Sequence, residues 1–179
     1  MNLHQSFRDY FAAFHISNEM KALAKDSGRL DEAEPVLQQN IYPDEILGFV
    51  SDIIHEENAQ PTLTEQGLRF PEKESISEPG KSVAEQLLSL WRNKEGESTQ
   101  NAVANIVNIM KIGRQNILAW CDFSNLDLRK CWLNKCRFTE WYEDKYYSSI
   151  FDGAWIDRGN FLTDGHESQV SAVVFDGIS

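Results

Sequence analysis

The apolar positions of this chain change their spacing as it runs, from steps of three and four near the start to steps of five near the end. Leu3, Phe7, Tyr10, Phe11 and Phe14 recur at intervals that bring side chains to one face of an α-helix. The spacing predicts one long helix over 2–26, whose aromatic stripe has core packing as its ordinary role and stands exposed if the chain is a fragment of a larger protein. Asn2 with Gln5 suits a capping-box start, Lys21 and Lys25 fall in the last turn, and Gly28 lies just beyond it. Residues 29–42 are polar, contain Pro35 and predict a connection. Pro43-Asp44-Glu45 then opens a helix to about 58, with Ile46, Leu47, Val50, Ile53 and Ile54 apolar. Pro61, Gly67, Pro71, Pro79 and Gly80 stand among charges, so 59–80 reads as a long mobile loop within the linker. Ser82, with Glu85 three residues on, is a helix entry for 83–93, where Val83, Leu87, Leu90 and Trp91 share a side. Gly96 breaks that helix. Another follows over 100–112, where Val103, Ile106, Val107 and Met110 keep helical spacing before Gly113.

From 121 to 140 the chain reads CDFSN, LDLRK, CWLNK, CRFTE. The first residues of these blocks are Cys121, Leu126, Cys131 and Cys136, and the third are Phe123, Leu128, Leu133 and Phe138. A period of five fits neither a 3.6-residue helix nor a two-residue strand. The stretch resembles the pentapeptide-repeat family, whose chains wind into a right-handed square β-solenoid with one pentapeptide per side. The resemblance implies that first and third residues point inward; Asp122, Arg129, Lys130, Asn134, Lys135 and Arg137 then fall on outward positions. The pattern pauses at 141–148, WYEDKYYS, where three extra residues predict a bulge from a corner. It resumes as SIFDG, AWIDR and GNFLT, with Phe151, Ile156 and Phe161 inward. Trp120 is placed to cover the open first coil. Trp132 and Trp155 fall on outward positions, near Tyr146 and Tyr147 in sequence, and these four are the candidate protein-interaction residues. Packing against missing parts of a larger protein, or against the insertion, is the plainer role for them.

Two further strings carry resemblances. LHQSFRDYFAAFHI at 3–16 resembles the closing helix of the winged-helix region in NACHT-type STAND ATPases, through His4, Phe7, Asp9, Tyr10, Phe11, Ala12 and Ala13. The resemblance implies that His4 senses the β-phosphate of bound ADP in a full-length parent, a contact an imidazole can make. Gly165-His166 leading into VSAVVF at 170–175 resembles the first strand of a WD40 repeat. The stretch 102–128 resembles the segment that leads from helices into pentapeptides in bacterial STAND proteins. Together they imply a middle piece of a STAND-type signalling NTPase. Its expected parts are a winged-helix closing helix at 1–28, a helical linker at 29–118, a pentapeptide solenoid at 119–163 and a truncated WD40 strand at 164–179. The expected fold class is α+β: an N-terminal helical region, a short right-handed pentapeptide-repeat β-solenoid and one terminal strand. The expected function is non-catalytic coupling between nucleotide switch and repeat sensor. The alternative is a stand-alone protein-binding adaptor.

Composition narrows the chemistry. Twenty-eight acidic against 17 basic residues give a net charge of −11. That argues against nucleic acid and anionic membranes, which need a basic face, and leaves protein partners or missing domains of the same parent. No apolar run approaches the ~18 residues of a membrane span, and MNLHQSFRDY lacks the basic-then-apolar order of a signal peptide. A cytoplasmic protein is expected. The three cysteines share one inward column without zinc-ligand spacing, so a structural role is expected and no metal. Gly80-Lys81-Ser82 has Ser75 where a P-loop needs glycine, so ADP or ATP is expected only in the parent, with no cofactor in this chain. No Ser/His/Asp set or paired carboxylates stand out, and no enzyme activity is expected.

Overall fold

The computed structural model describes residues 3–30, 35–58, 62–64, 67–69, 82–142 and 145–156. Its helices are α1 (Leu3–Lys25), α2 (Val36–Gln39), α3 (Asp44–Asn58), α4 (Val83–Leu88) and α5 (Glu97–Gly113), with 3-10 turns at Ser27–Leu30 and Ser89–Trp91. α3 begins where the sequence predicts, its first turn closed by the Leu47 N–H on Pro43 O at 3.1 Å and acidified by Asp44 and Glu45. α4 begins in a complete capping box: the Glu85 N–H donates to Ser82 Oγ at 3.2 Å, and the Ser82 N–H donates back to Glu85 Oε2.

α5 is the central helix. Residues Ala102 to Val107 are all buried, with Ile109 and Met110, because α2, α3 and α4 pack around it. A helix wrapped on several sides has little use for a polar face. Its most deeply buried polar group, Asn105, is satisfied: the side-chain amide donates to Leu37 O (2.9 Å) and Asn40 O (2.7 Å), and its oxygen accepts from the Tyr42 N–H (2.9 Å). The connection expected over 29–42 is thereby clamped, and it contains α2.

In α1 the aromatic stripe departs from its ordinary role. Its buried positions are Ala13, Ile16, Met20 and Leu23, with Ser17 donating to Ala13 O at 2.8 Å. The aromatic stripe faces away from them: Phe7 is 57% exposed, Tyr10 44%, Phe11 66% and Phe14 48%. Among the described residues the stripe lies outside the buried core, touching its margin through Tyr10 on Phe49.

The expected α+β architecture with a pentapeptide-repeat β-solenoid is corrected. Among the described residues the structure is mostly helical, with no solenoid of strands. Among the described residues the strands form two short antiparallel hairpins. β1 (Thr62–Thr64) pairs with β2 (Gly67–Arg69), inside the stretch expected to be a mobile loop. β3 (Thr139–Tyr142) pairs with β4 (Lys145–Ser148), where the sequence predicts only a bulge. From 114 onward the chain runs as successive turns joined by isolated parallel bridges: Ile117 to Arg137, Asp122 to Ile150, Asp127 to Trp155. The physical reason is local. Left-handed backbone at Gln115, Trp120, Asn125, Lys135 and Gly153 bends the chain before a second consecutive bridge can form. Burial still repeats every five residues, with Cys121, Phe123, Leu126, Leu128, Cys131, Leu133, Cys136 and Phe138 all inside. Phe151 stacks on Phe123 at 5.0 Å and meets Phe138 edge-on at 5.2 Å. The expected block at 159–163 and the terminal strand within 164–179 lie outside the described residues. Among the described residues no helix is long and apolar enough to cross a membrane.

Candidate functional site

Helices and turn segment share one hydrophobic core, and a row of polar ties crosses between them. The 3-10 turn after α4 ends at Trp91, and Asn93 takes a φ of 57°, so the chain turns back and the Asn93 N–H reaches Asn125 O at 2.9 Å. Arg92 is thereby aimed at the turn segment. Its guanidinium donates to Asp122 O (2.8 Å) and Ser124 O and pairs with the Asp122 carboxylate at 2.9 Å. At the end of α5, Lys111 donates to Trp132 O, and Arg114 pairs with Glu85 at 2.9 Å while donating to Cys121 Sγ at 3.2 Å. Near its start, Gln100 donates to Asp127 at 3.0 Å, and Lys130 donates to Glu97 and Asn101, each at 2.9 Å. Arg92 lies just past the 3-10 turn and Arg114 just past α5, the other ties run from α5 itself to the turn segment, and Arg114 also joins α4 to the end of α5.

Electrostatics at this junction follow the bonds. Burial alone would raise the Asp122 and Asp127 carboxyls. Hydrogen bonds outweigh it, from Ser124 and Arg92 to Asp122 and from Arg129 and Gln100 to Asp127, and hold both below the usual carboxylate range. Lys130 lowers Glu97 in the same way. The thiols go the other direction. Burial pushes Cys121 up to about 12, Cys136 to about 11, and Cys131 further still. Thiols held protonated inside a packed column are poor nucleophiles, and no metal-holding group of three His, Cys, Asp or Glu occurs among the described residues.

The candidate residues read from sequence are scattered. His4 lies in the first turn of α1. Trp132 is 58% exposed beside the end of α5, its carbonyl held by Lys111. Trp155 is half-buried on other neighbours: Arg129 lies over its ring at 5.0 Å, and it borders a polar cavity of about 270 Å³ lined also by Asn93, Asn125, Asp127 and Gly153. Gly153, at φ 66°, has no room for a Cβ, because Asn125 Oδ1 occupies that place. Tyr146 and Tyr147 lie on β4, opposite Trp141 and Glu140 of β3. Trp120, expected as a cover for the first coil, is half-buried at φ 68°, and Arg92, Lys111 and Arg114 reach the segment from the helices.

Sequence reading missed Arg92, Arg114, Glu85 in its second role, and Asn105. Asn105 alone left a signal, a polar residue inside an apolar helical run; the others sit among ordinary surface charges in sequence. No family model matches the chain, and neither a curated protein nor a solved structure matches it.

Proposed function

We propose that the chain is a non-catalytic coupling and scaffold segment of a STAND-type signalling NTPase, set in the cytoplasm between the nucleotide switch and a C-terminal repeat sensor. The observation that carries this reading is the junction: Arg92, Lys111, Arg114, Gln100 and Lys130 tie three helical stretches to the turn segment over a common core. A connector passes displacement from one end to the other only when its parts do not move independently. Nucleotide chemistry belongs to the rest of the parent, where His4 would face the ADP β-phosphate. Partners on this reading are the neighbouring modules of that parent, with no nucleic acid or membrane.

Two measurements test it. Calorimetry and hydrogen exchange on the full chain should show helices and turn segment opening together, and Arg92→Ala should separate their exchange; independent opening in the unaltered chain sinks the connector. Sequencing the DNA on both sides of the reading frame tests the parent. A P-loop module before it and GH-bounded repeats after it support the reading, and unrelated genes remove it. The 58% exposure of Trp132 favours the second reading, a protein-binding adaptor. It is distinguished by a partner whose capture is lost in Trp132→Ala.

A further inference from the structure

The surface feature with no role so far is the aromatic face of α1. Phe7, Phe11 and Phe14 are about half exposed or more and Tyr10 is 44% exposed, on the side of the helix away from Ala13, Ile16, Met20 and Leu23. Tyr10 meets Phe11 edge-on at 6.3 Å and Phe49 of α3 at 5.8 Å, so the face continues onto a second helix. Contiguous exposed apolar surface on this scale marks an interaction site. We infer that α1 pairs antiparallel with α1 of a second copy of this chain across a two-fold axis between Tyr10 and Phe11.

The spacing fits that occupant. A two-fold interface must be self-complementary, and positions 7, 10, 11 and 14 read the same in both directions. Phe7 then meets Phe14 of the second copy, and Tyr10 meets Phe11. Within this stretch the charges are Arg8 and Asp9, and the same axis sets them opposite Ala13 and Ala12, so no like charges face each other. Charge over the whole helix agrees. α1 carries Arg8, Lys21 and Lys25 against Asp9 and Glu19, while the chain as a whole stands at −11. α1 is thus a place where two such acidic chains approach without acid meeting acid. Area sets the strength. Four half-exposed aromatic side chains cover roughly 400 Å² per copy, about half of what a stable interface buries on each side. The dimer is therefore weak and concentration-dependent. It does not depend on the coupling function proposed above.

Sedimentation velocity on the full chain over a concentration series tests this. The expected result is a monomer–dimer equilibrium that levels off at two copies. Phe11→Asp should weaken it by about tenfold or more with far-ultraviolet circular dichroism unchanged, since Phe11 lies outside the core. The pair Phe7→Ser with Phe14→Ser should do the same, and Trp132→Asp should leave the equilibrium intact. A monomer at every concentration, open-ended association, Phe11→Asp without effect, or equal loss in Trp132→Asp would each overturn the proposal.

Discussion

Cys121, Cys131 and Cys136 stand ten and five residues apart in one buried column, with Leu126 between the first two, and each thiol is held protonated by burial. A thiol reacts as thiolate, so suppression of ionisation adds to the steric barrier. With a small colourless-to-coloured disulfide reagent at about pH 8, near the ordinary thiol pKa, the native chain should release almost no colour. All three thiols should react once denaturant is added. Rapid reaction of any of them without denaturant would mean the column opens on the time scale of the assay. The same residues show what sequence alone resolves. A five-residue burial period was legible from the Cys and Phe positions. It did not disclose backbone conformation, because burial reports where side chains point and left-handed turns at Gln115, Trp120, Asn125 and Lys135 can deliver that pointing without strands.

Among elements, α3, α4 and α5 begin within a few residues of where spacing and caps place them, since those signals are local. The exposed stripe of α1 was legible only through the expectation that the chain is a fragment, since periodicity alone pointed to core packing. Periodicity shows that a face exists, and α1 has two apolar faces: Phe7 through Phe14, and Ala13 through Leu23. Which one meets the core depends on α3 and α4, which no local pattern describes. The polar junction was hidden for the same reason, as Arg92 and Asp122 are thirty residues apart. The ion pairs between elements are unequal. Glu85 and Arg114 are both nearly buried, whereas Glu97 in the Lys130 pair is open to water. Loss of one partner strands a charge only where water is excluded, so Glu85→Ala should cost ~3–5 kcal/mol in denaturant titration. Lys130→Ala should leave the midpoint nearly unmoved. Equal effects would show that the Glu85 pair is hydrated.

For the whole molecule, the shifted groups set a pH window. Asp122 and Asp127 are depressed in the fold, so their contribution is complete above the ordinary carboxylate pKa and is lost as pH falls through their lower native values. The thiols are raised. Their contribution is complete below the ordinary thiol pKa and is lost as pH climbs toward about 11 and 12 at Cys136 and Cys121. Thermal melts should hold level from about pH 5 to 8 and fall on both sides, with Cys136→Ala reducing the alkaline loss. A melt still rising above the thiol range would contradict that assignment.

Asn105 adds a consequence in time. Its side chain holds Leu37, Asn40 and Tyr42, which join α1 to α3, yet it enters the chain more than sixty residues after them. During synthesis the first three helices are therefore complete as sequence well before the residue that fastens their connection exists. At ordinary translation rates that interval is on the order of seconds. Through it the N-terminal helices must stay unclaimed, with apolar surface on two sides of α1, which makes the newborn chain a client for whatever shields nascent polypeptides.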